Sequence, residues 1–370
     1  MSKLFEPLTL RSLTLKNRTV VSPMCQYSSR MGLANDWHLV HLGRFALGGF
    51  ALVIVEASAV EAAGRISYGD LGLWNDAQIE PLKRVVDFLH AQGAAAGIQL
   101  AHAGRKASTM PPWQPSPSEA EKPRLGYEEW QPVAPSAAPH AEGWKMPHAL
   151  SVAEIAALVE AFAQSARRAH EAGFDIVELH GAHGYLVDQF LSPLANKRTD
   201  AYGGSLENRM RFALEIVAAV RRVWPQEKPL FMRFSVQDWH ADGWQVADSV
   251  ELARRVKALG VDLVDCSSGG FDGAKIRPAP LYQAPFAEAV RKGADIATMA
   301  VGLIGDPHDA EAVLADGKAD LVALARPALE NPHWPAHAMR ALDPAGDVYA
   351  LYPRQAGYAV RGMDRALSRQ

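Results

Sequence analysis

The sequence predicts a single (β/α)8 barrel, and three observations carry that prediction. A short pattern recurs as Gly173-Phe174-Asp175-Ile176-Val177-Glu178-Leu179, Gly260-Val261-Asp262-Leu263-Val264-Asp265-Cys266 and Gly317-Lys318-Ala319-Asp320-Leu321-Val322-Ala323-Leu324. Each copy follows an alanine-rich helical stretch, and its glycine suits the left-handed residue that ends a helix. The apolar runs behind the glycines read as parallel strands buried on both faces. Eight such strand candidates alternate with helices along the 370 residues. The rival architecture, a doubly wound sheet, lacks its Gly-x-Gly-x-x-Gly fingerprint here.

Taken in order, residues 18–24 read as the first strand and 37–47 as its helix. Residues 50–57, 95–100 and 176–179 are the next three strands, the fourth breaking at His180. The fifth is 230–235, the sixth begins at Val261, the seventh is 296–301, and the eighth begins at Asp320. Ser151 with Glu154 forms a capping box, and Asp306-Pro307 places a cap before a first-turn proline. Between 105 and 150 the periodicity fails, with Pro111-Pro112-Trp113 and Trp130-Gln131-Pro132 as markers. A loop of that length inside a compact domain is usually functional, so it reads as a capping excursion over the barrel mouth after strand 3. The tail, 341–370, is less regular, and Tyr352, Arg354 and Tyr358 read there as contact residues. Residues 1–370 form one domain on this reading.

Composition narrows the function. A net charge of -3 offers nucleic acid no basic field, and no lysine-rich run suggests a membrane surface. No stretch approaches ~18 consecutive apolar residues, and the first residues lack an apolar leader. Cys25 and Cys266 are far apart and form neither a disulfide framework nor a metal knuckle, so a cytoplasmic setting is expected.

The chain is organised around the strand end Glu178-Leu179-His180-Gly181-Ala182-His183-Gly184-Tyr185. Two imidazoles and a phenol are presented within six residues, followed by a polar run to Arg209. Barrel enzymes carry catalysis at such strand ends. The other ends supply Ser22-Pro23-Met24-Cys25, Glu56-Ala57, Gln99 to His102, Arg233 to Ser235 and Ser267 to Gly270. This set is poor in carboxylates, which disfavours a glycosidase pair. Arg233 ends an apolar strand, where an unpaired guanidinium would be costly. It is either one half of a structural ion pair or a fixed positive charge beside an electron-rich ligand. Gly302 and Ala325-Arg326 follow strands seven and eight, where barrels hold phosphates on backbone N–H groups, with Arg326 as counter-charge. His180 and His183 could instead hold a metal with His102 and Asp238, or be satisfied core histidines. Tyr185, with an ordinary pKa of ~10, suits a proton donor. Cys25 is either a small buried hydrophobe or a cofactor contact.

With these motifs the chain resembles the Old Yellow Enzyme family of FMN-dependent ene-reductases, in the subgroup containing YqjM and xenobiotic reductase A. The resemblance runs from Leu4-Phe5-Glu6-Pro7 to near Tyr358. It rests on Ser22-Pro23-Met24-Cys25-Gln26-Tyr27, Asp36-Trp37-His38, Gln99 to Lys106, His180 to Tyr185, Asn196-Lys197-Arg198-Thr199-Asp200 and Asn208-Arg209. It implies a tightly bound FMN lined by Ser22, Pro23, Met24, Cys25, Ala57, Gln99 and His180. Arg233 would sit by the ring's N1–C2 carbonyl, and Gly302, Ala325 and Arg326 would hold the phosphate. His180 and His183 would bind the carbonyl of an enone-type substrate, Tyr27 would contact it, and Tyr185 would protonate it. NAD(P)H would be a transient hydride donor. The family's phosphate loop usually has glycine where this chain has Ala325. A C-terminal arginine, Arg354 or else Arg361, would enter a neighbour's site in a homodimer or homotetramer. The alternatives are a metal-dependent hydrolase built on the histidine pair, or a flavin-binding module without turnover. A related flavin reductase for dienoyl thioesters needs a cysteine cluster that two cysteines cannot supply.

Overall fold

The structure, a computed structural model, describes residues 2–125 and 127–368, so Gly126 of the excursion and the last two residues of the tail lie outside it. Eight parallel strands close into a barrel: β1 (Thr19–Val21), β2 (Leu52–Ala59), β3 (Ala95–Ala101), β4 (Ile176–Gly181), β5 (Leu230–Ser235), β6 (Leu263–Ser267), β7 (Ala297–Ala300) and β8 (Leu321–Leu324). Each pairs with its successor in the chain, and β8 pairs with β1. The helices between them are α1 (Asp36–Leu47), α2 (Ile79–Ala91), α3 (Val152–Glu171), α4 (Leu206–Val223), α5 (Val246–Ala258), α6 (Ala284–Ala294) and α7 (Pro307–Ala315), and α8 (Trp334–Leu342) follows β8. The barrel expected from the repeats is therefore present.

The repeated glycine and aspartate have a physical role. Gly173, Gly260 and Gly317 all adopt positive φ (93°, 98° and 68°), turning the chain from helix into strand. The aspartate two or three residues on grips the strand before it. Asp175 Oδ2 accepts from the Ala96 N–H at 2.9 Å, Asp262 Oδ2 from Leu230 at 2.9 Å, and Asp320 Oδ2 from Thr298 at 3.0 Å. Each aspartate N–H also donates to the carbonyl of that same residue. The first rung of three strand pairs is fixed this way, and with it the alternation that decides which side chains face inward.

Two cores result. Inside the barrel, Val20, Leu52, Ile54, Ile176, Phe231, Leu263, Met299 and Leu321 fill the lower layers. A hairpin of Leu8–Leu10 and Leu13–Leu15 packs against them. A larger core fills the space between strands and helices, with Phe162, Phe190, Phe212, Trp224 and Trp244 fully buried. The predicted caps hold: Ser151 accepts from Glu154 N, and Asp306 from His308 N and Asp309 N.

Three local expectations need correcting. β4 does not break at His180 but runs through Gly181, because the backbone of both residues stays paired with β5. β2 continues to Ala59 through a register shift between Val55 and Ser58, which leaves Glu56 and Ala57 at the irregularity. The tail is not irregular, since Arg354–Leu367 is a 14-residue helix with only Gly357 buried. Ala356, Ala359, Val360, Met363 and Leu367 recur along it at helical spacing, a pattern the sequence reading passed over.

Residues 105–150 carry a short helix, Lys122–Leu125, and a two-residue strand pair, Val133–Ala134 with His148–Ala149. The segment packs on loops that leave the strand ends. Trp130 Nε1 donates to Ala63 O at 2.8 Å, Lys197 N to Ser136 Oγ at 2.9 Å, and Arg198 Nη1 to Pro135 O at 2.9 Å.

Candidate active site

Alternation along the strands builds the site from below. Ile176, Phe231 and Leu263 are interior, so Glu178 and His180, Arg233 and Ser235, and Asp265 and Ser267 face the same interior space higher up. Register sets their neighbours: Gln99 lies opposite Glu178, His180 opposite Arg233, and Arg233 opposite Asp265. The interior thus changes from apolar to polar within two residues, just where the strands end.

His183 leaves the strand at φ 63° and Gly184 follows at φ 70°. A Cβ on Gly184 would lie 2.2 Å from the Gly270 carbonyl, so only glycine fits there. Asp188 Oδ2 accepts from Gly184 N at 2.7 Å, and Ser235 Oγ from His183 N at 2.8 Å. His183 Nε2 lies 2.7 Å from Ser267 Oγ. The His180 ring stands 5.1 Å from that of His183 and 5.2 Å from that of Tyr185, while its Nδ1 is buried with no partner. Sequence reading brought these three together correctly.

Their protonation follows from burial. Both imidazoles are held well below the usual histidine range, first by burial and then by the charge of Arg233. They face the pocket as neutral rings, each with one N–H. Burial, and then Cys25, Tyr27 and Asp70, push Tyr185 well above the usual phenol range, so it keeps its proton. Tyr185 lines a small pocket with Ala57, Ala59, Gly64, Ile66 and Asp70.

Arg233 is half of an ion pair, the first of the two roles that its position suggested. Its Nε lies 3.0 Å from Asp265 Oδ2, an ion pair without a straight hydrogen bond, and its Nη1 donates to Ser22 Oγ at 3.3 Å. One edge of the guanidinium is tied to the barrel interior, and the other reaches the end of β1. Pro23, Met24 and Cys25 follow Ser22 as half-buried residues. Burial, with Asp70 and Glu56 nearby, keeps the Cys25 thiol protonated. Gln99 donates from Nε2 to Glu178 Oε1 at 2.8 Å.

These residues suit a flavin mononucleotide. Gly302 adopts φ 121°, and a Cβ there would meet Gln283 Nε2 at 2.8 Å. Ala325 precedes the short helix Arg326–Glu330 with φ -107° and ψ -90°. Burial raises the pKa of the Tyr282 hydroxyl, and the charges of Arg326 and Arg233 act against that rise. A backbone cradle with an arginine suits a phosphate, and the buried positive charge of Arg233 suits an electron-rich ring.

Tyr27, at φ 51°, packs edge-on against Trp113 at 5.5 Å, so the excursion reaches the loop after β1. Arg354 is not brought to its own chain's site. It is exposed at the start of the tail helix, and the preceding Leu351 packs on Gly49, ahead of β2 at the strand-start end of the barrel. Arg361 instead pairs with Asp347 at 2.9 Å. His102 and Asp238, which a metal set would need, are engaged elsewhere. His102 Nε2 meets Glu61 Oε1 at 2.9 Å, and Asp238 Oδ2 accepts from Ser192 Oγ and Trp244 N.

Sequence reading assigned no role to Lys106. Its ammonium donates to His183 O at 2.9 Å and lies 4.8 Å over the Tyr185 ring, with burial lowering its pKa to about 8. Asp188 was also missed, although a lone acid inside the fully buried helix Leu186–Leu191 was a signal.

The sequence profile of the NADH:flavin oxidoreductase / NADH oxidase family matches residues 3–343. An NADPH dehydrogenase of Geobacillus sp. strain WCH70 is 48% identical over 95% of this chain and 98% of its own. One from Bacillus cytotoxicus is 47% identical over 92% and 93%. Among solved structures, morphinone reductase superposes with a TM-score of 0.78 at 30% identity, over 95% of this chain and 93% of its own. A 2-naphthoyl-CoA reductase complex superposes at 0.83 with 25% identity, this chain spanning 52% of it.

Proposed function

Because the chain belongs to the NADH:flavin oxidoreductase / NADH oxidase family and is a flavin-dependent NAD(P)H oxidoreductase with FMN as cofactor, we propose that it reduces the activated C=C bonds of enals, enones, maleimides and nitroalkenes. The observation that carries this reading is the neutral pair His180 and His183 set around 5 Å from each other and beside Tyr185. Two uncharged N–H donors can hold a carbonyl or nitro oxygen and draw electron density from the β-carbon without protonating it. FMN, when bound, carries hydride from NAD(P)H to that carbon. Tyr185, kept protonated, supplies the proton for the α-carbon. Arg233 offers its positive charge to the ring, Cys25 adjusts the ring's surroundings, and Gly302, Ala325 and Arg326 hold the phosphate. Nicotinamide and substrate use the same pocket in turn, which makes turnover ping-pong.

The excursion at 105–150 shapes the substrate end of the pocket through Tyr27 and Trp113. Because Arg354 lies remote from its own chain's site, any arginine it supplies goes to a neighbour in a homodimer or homotetramer. The enzyme works in the cytoplasm on this reading; among the described residues no helix is long and apolar enough to cross a membrane.

The test is the visible spectrum of the purified protein, taken anaerobically with NADPH and again after 2-cyclohexenone. Yellow protein that bleaches and then recovers supports the reading. Protein that bleaches but recovers with no enone, maleimide or nitroalkene overturns the substrate class.

A further inference from the structure

Beneath the two imidazoles lies a buried charge cluster whose two carboxyl groups the reaction above leaves unused. Glu178 precedes His180 by two residues on β4, so both face the interior, with Glu178 about 7 Å deeper. It is fully buried, as is Asp265 on β6. Arg233 on β5 stands between those two strands, in register with Asp265 and with His180. Gln99 of β3 binds Glu178 Oε1, but Glu178 Oε2 and both oxygens of Asp265 lack a hydrogen-bond partner. The layer below is apolar, from Ile176, Phe231 and Leu263.

Two ionised carboxylates against one guanidinium would leave an uncompensated negative charge in this interior, which burial strongly disfavours. One proton removes it. The charges acting on Glu178 are Asp265 from β6 and Arg233 from β5, while β3 presents only the neutral amide of Gln99. Burial first, and then Asp265, raise the Glu178 pKa well above the usual carboxylate range; burial raises that of Asp265 too.

We propose that Glu178 and Asp265 hold one proton between them beneath Arg233, and that this carboxyl pair is a positioning element that leaves the arginine's charge available to the flavin ring. The link to the flavin rests on the site reading above; the shared proton does not. In alkaline solution the pair gives up its proton and overcompensates Arg233. Negative charge arriving on the ring makes that proton harder to lose. In that window each reduction takes up one additional proton. Hydride passes from the nicotinamide to the ring, the oxidised nicotinamide leaves, and a solvent proton goes to the Glu178 carboxylate.

Two measurements test this between about pH 6 and about pH 10. The infrared spectrum of the purified protein should show a protonated-carboxyl C=O band at neutral pH that weakens in alkali and is missing from Glu178→Gln. Asp265→Asn leaves Glu178 as the one carboxylate of the pair to balance Arg233 and should lose the band as well, so the answer does not depend on one variant folding. If neither variant removes a band, the shared proton is wrong. The midpoint potential of the bound flavin should fall with pH by one extra proton per two electrons in alkali, and Glu178→Gln should lack that extra slope. Equal slopes in both proteins would overturn the link to Arg233. The infrared result decides the carboxyl pair even in protein that takes up no FMN.

Discussion

Ser267 Oγ lies 2.7 Å from Nε2 of His183, and the contact bears on which nitrogen of that ring faces the pocket. A neutral imidazole has one N–H and one lone pair. When Ser267 donates to Nε2, the proton sits on Nδ1, free for a substrate oxygen. Ser267→Ala removes that bias. Its KM for an enone should rise about tenfold, the worth of one hydrogen bond of roughly 1.4 kcal/mol. Flavin reduction by NADPH should change less, and stopped-flow measurement of the two half-reactions checks this.

Tyr185→Phe removes the proposed proton donor while keeping the ring beneath Lys106. The oxidative half-reaction with 2-cyclohexenone should slow by about a hundredfold, in the range of general-acid effects. The reductive half-reaction should be unaffected. Equal slowing of both would place Tyr185 in binding rather than proton transfer.

The histidine pair also predicts an acid limit to stability. In the unfolded chain each ring titrates near ~6.5, whereas the fold holds both well below that. The unfolded state therefore binds more protons as the pH drops. The contribution is fully present above about 6.5 and is lost as pH falls from there toward the folded-state pKa values. Melting temperature should decline over that range, and less steeply in His183→Gln. Parallel curves for the two proteins would mean that His183 titrates in the fold.

Gly302→Ala puts a methyl group at φ 121°, with its carbon 2.8 Å from Gln283 Nε2 and 3.1 Å from Tyr282 Cε1. Strain of this kind costs about 1–3 kcal/mol. The variant should hold FMN more weakly, by ten- to a hundredfold at roughly 1.4 kcal/mol per decade. Fluorescence titration of the flavin-free protein reads the change.

Much of the barrel was legible because its repeats are local. Glycine, aspartate and a β-branched run sit within eight residues, and both the turn and the strand follow from them. The stretch from His180 to Tyr185 was legible for the same reason. What escaped depends on closure. Asp265 stood in plain view as a strand residue, yet it meets Arg233 only because β5 and β6 pair in one register. Lys106 is 77 residues from His183, and no local pattern links them. The tail helix is the exception, since Ala356, Ala359, Val360, Met363 and Leu367 recur at helical spacing and could have been read, although only Gly357 of that helix is buried.

The aspartates at Asp175, Asp262 and Asp320 all act at the strand-start end, remote from the chemistry. Register is thus secured by one set of residues, and the loops at the opposite end have no part in it. Inheritance can work on these two sets separately. A lineage can lengthen, shorten or rewrite the excursion at 105–150 without disturbing the alignment that keeps Arg233 pointing inward.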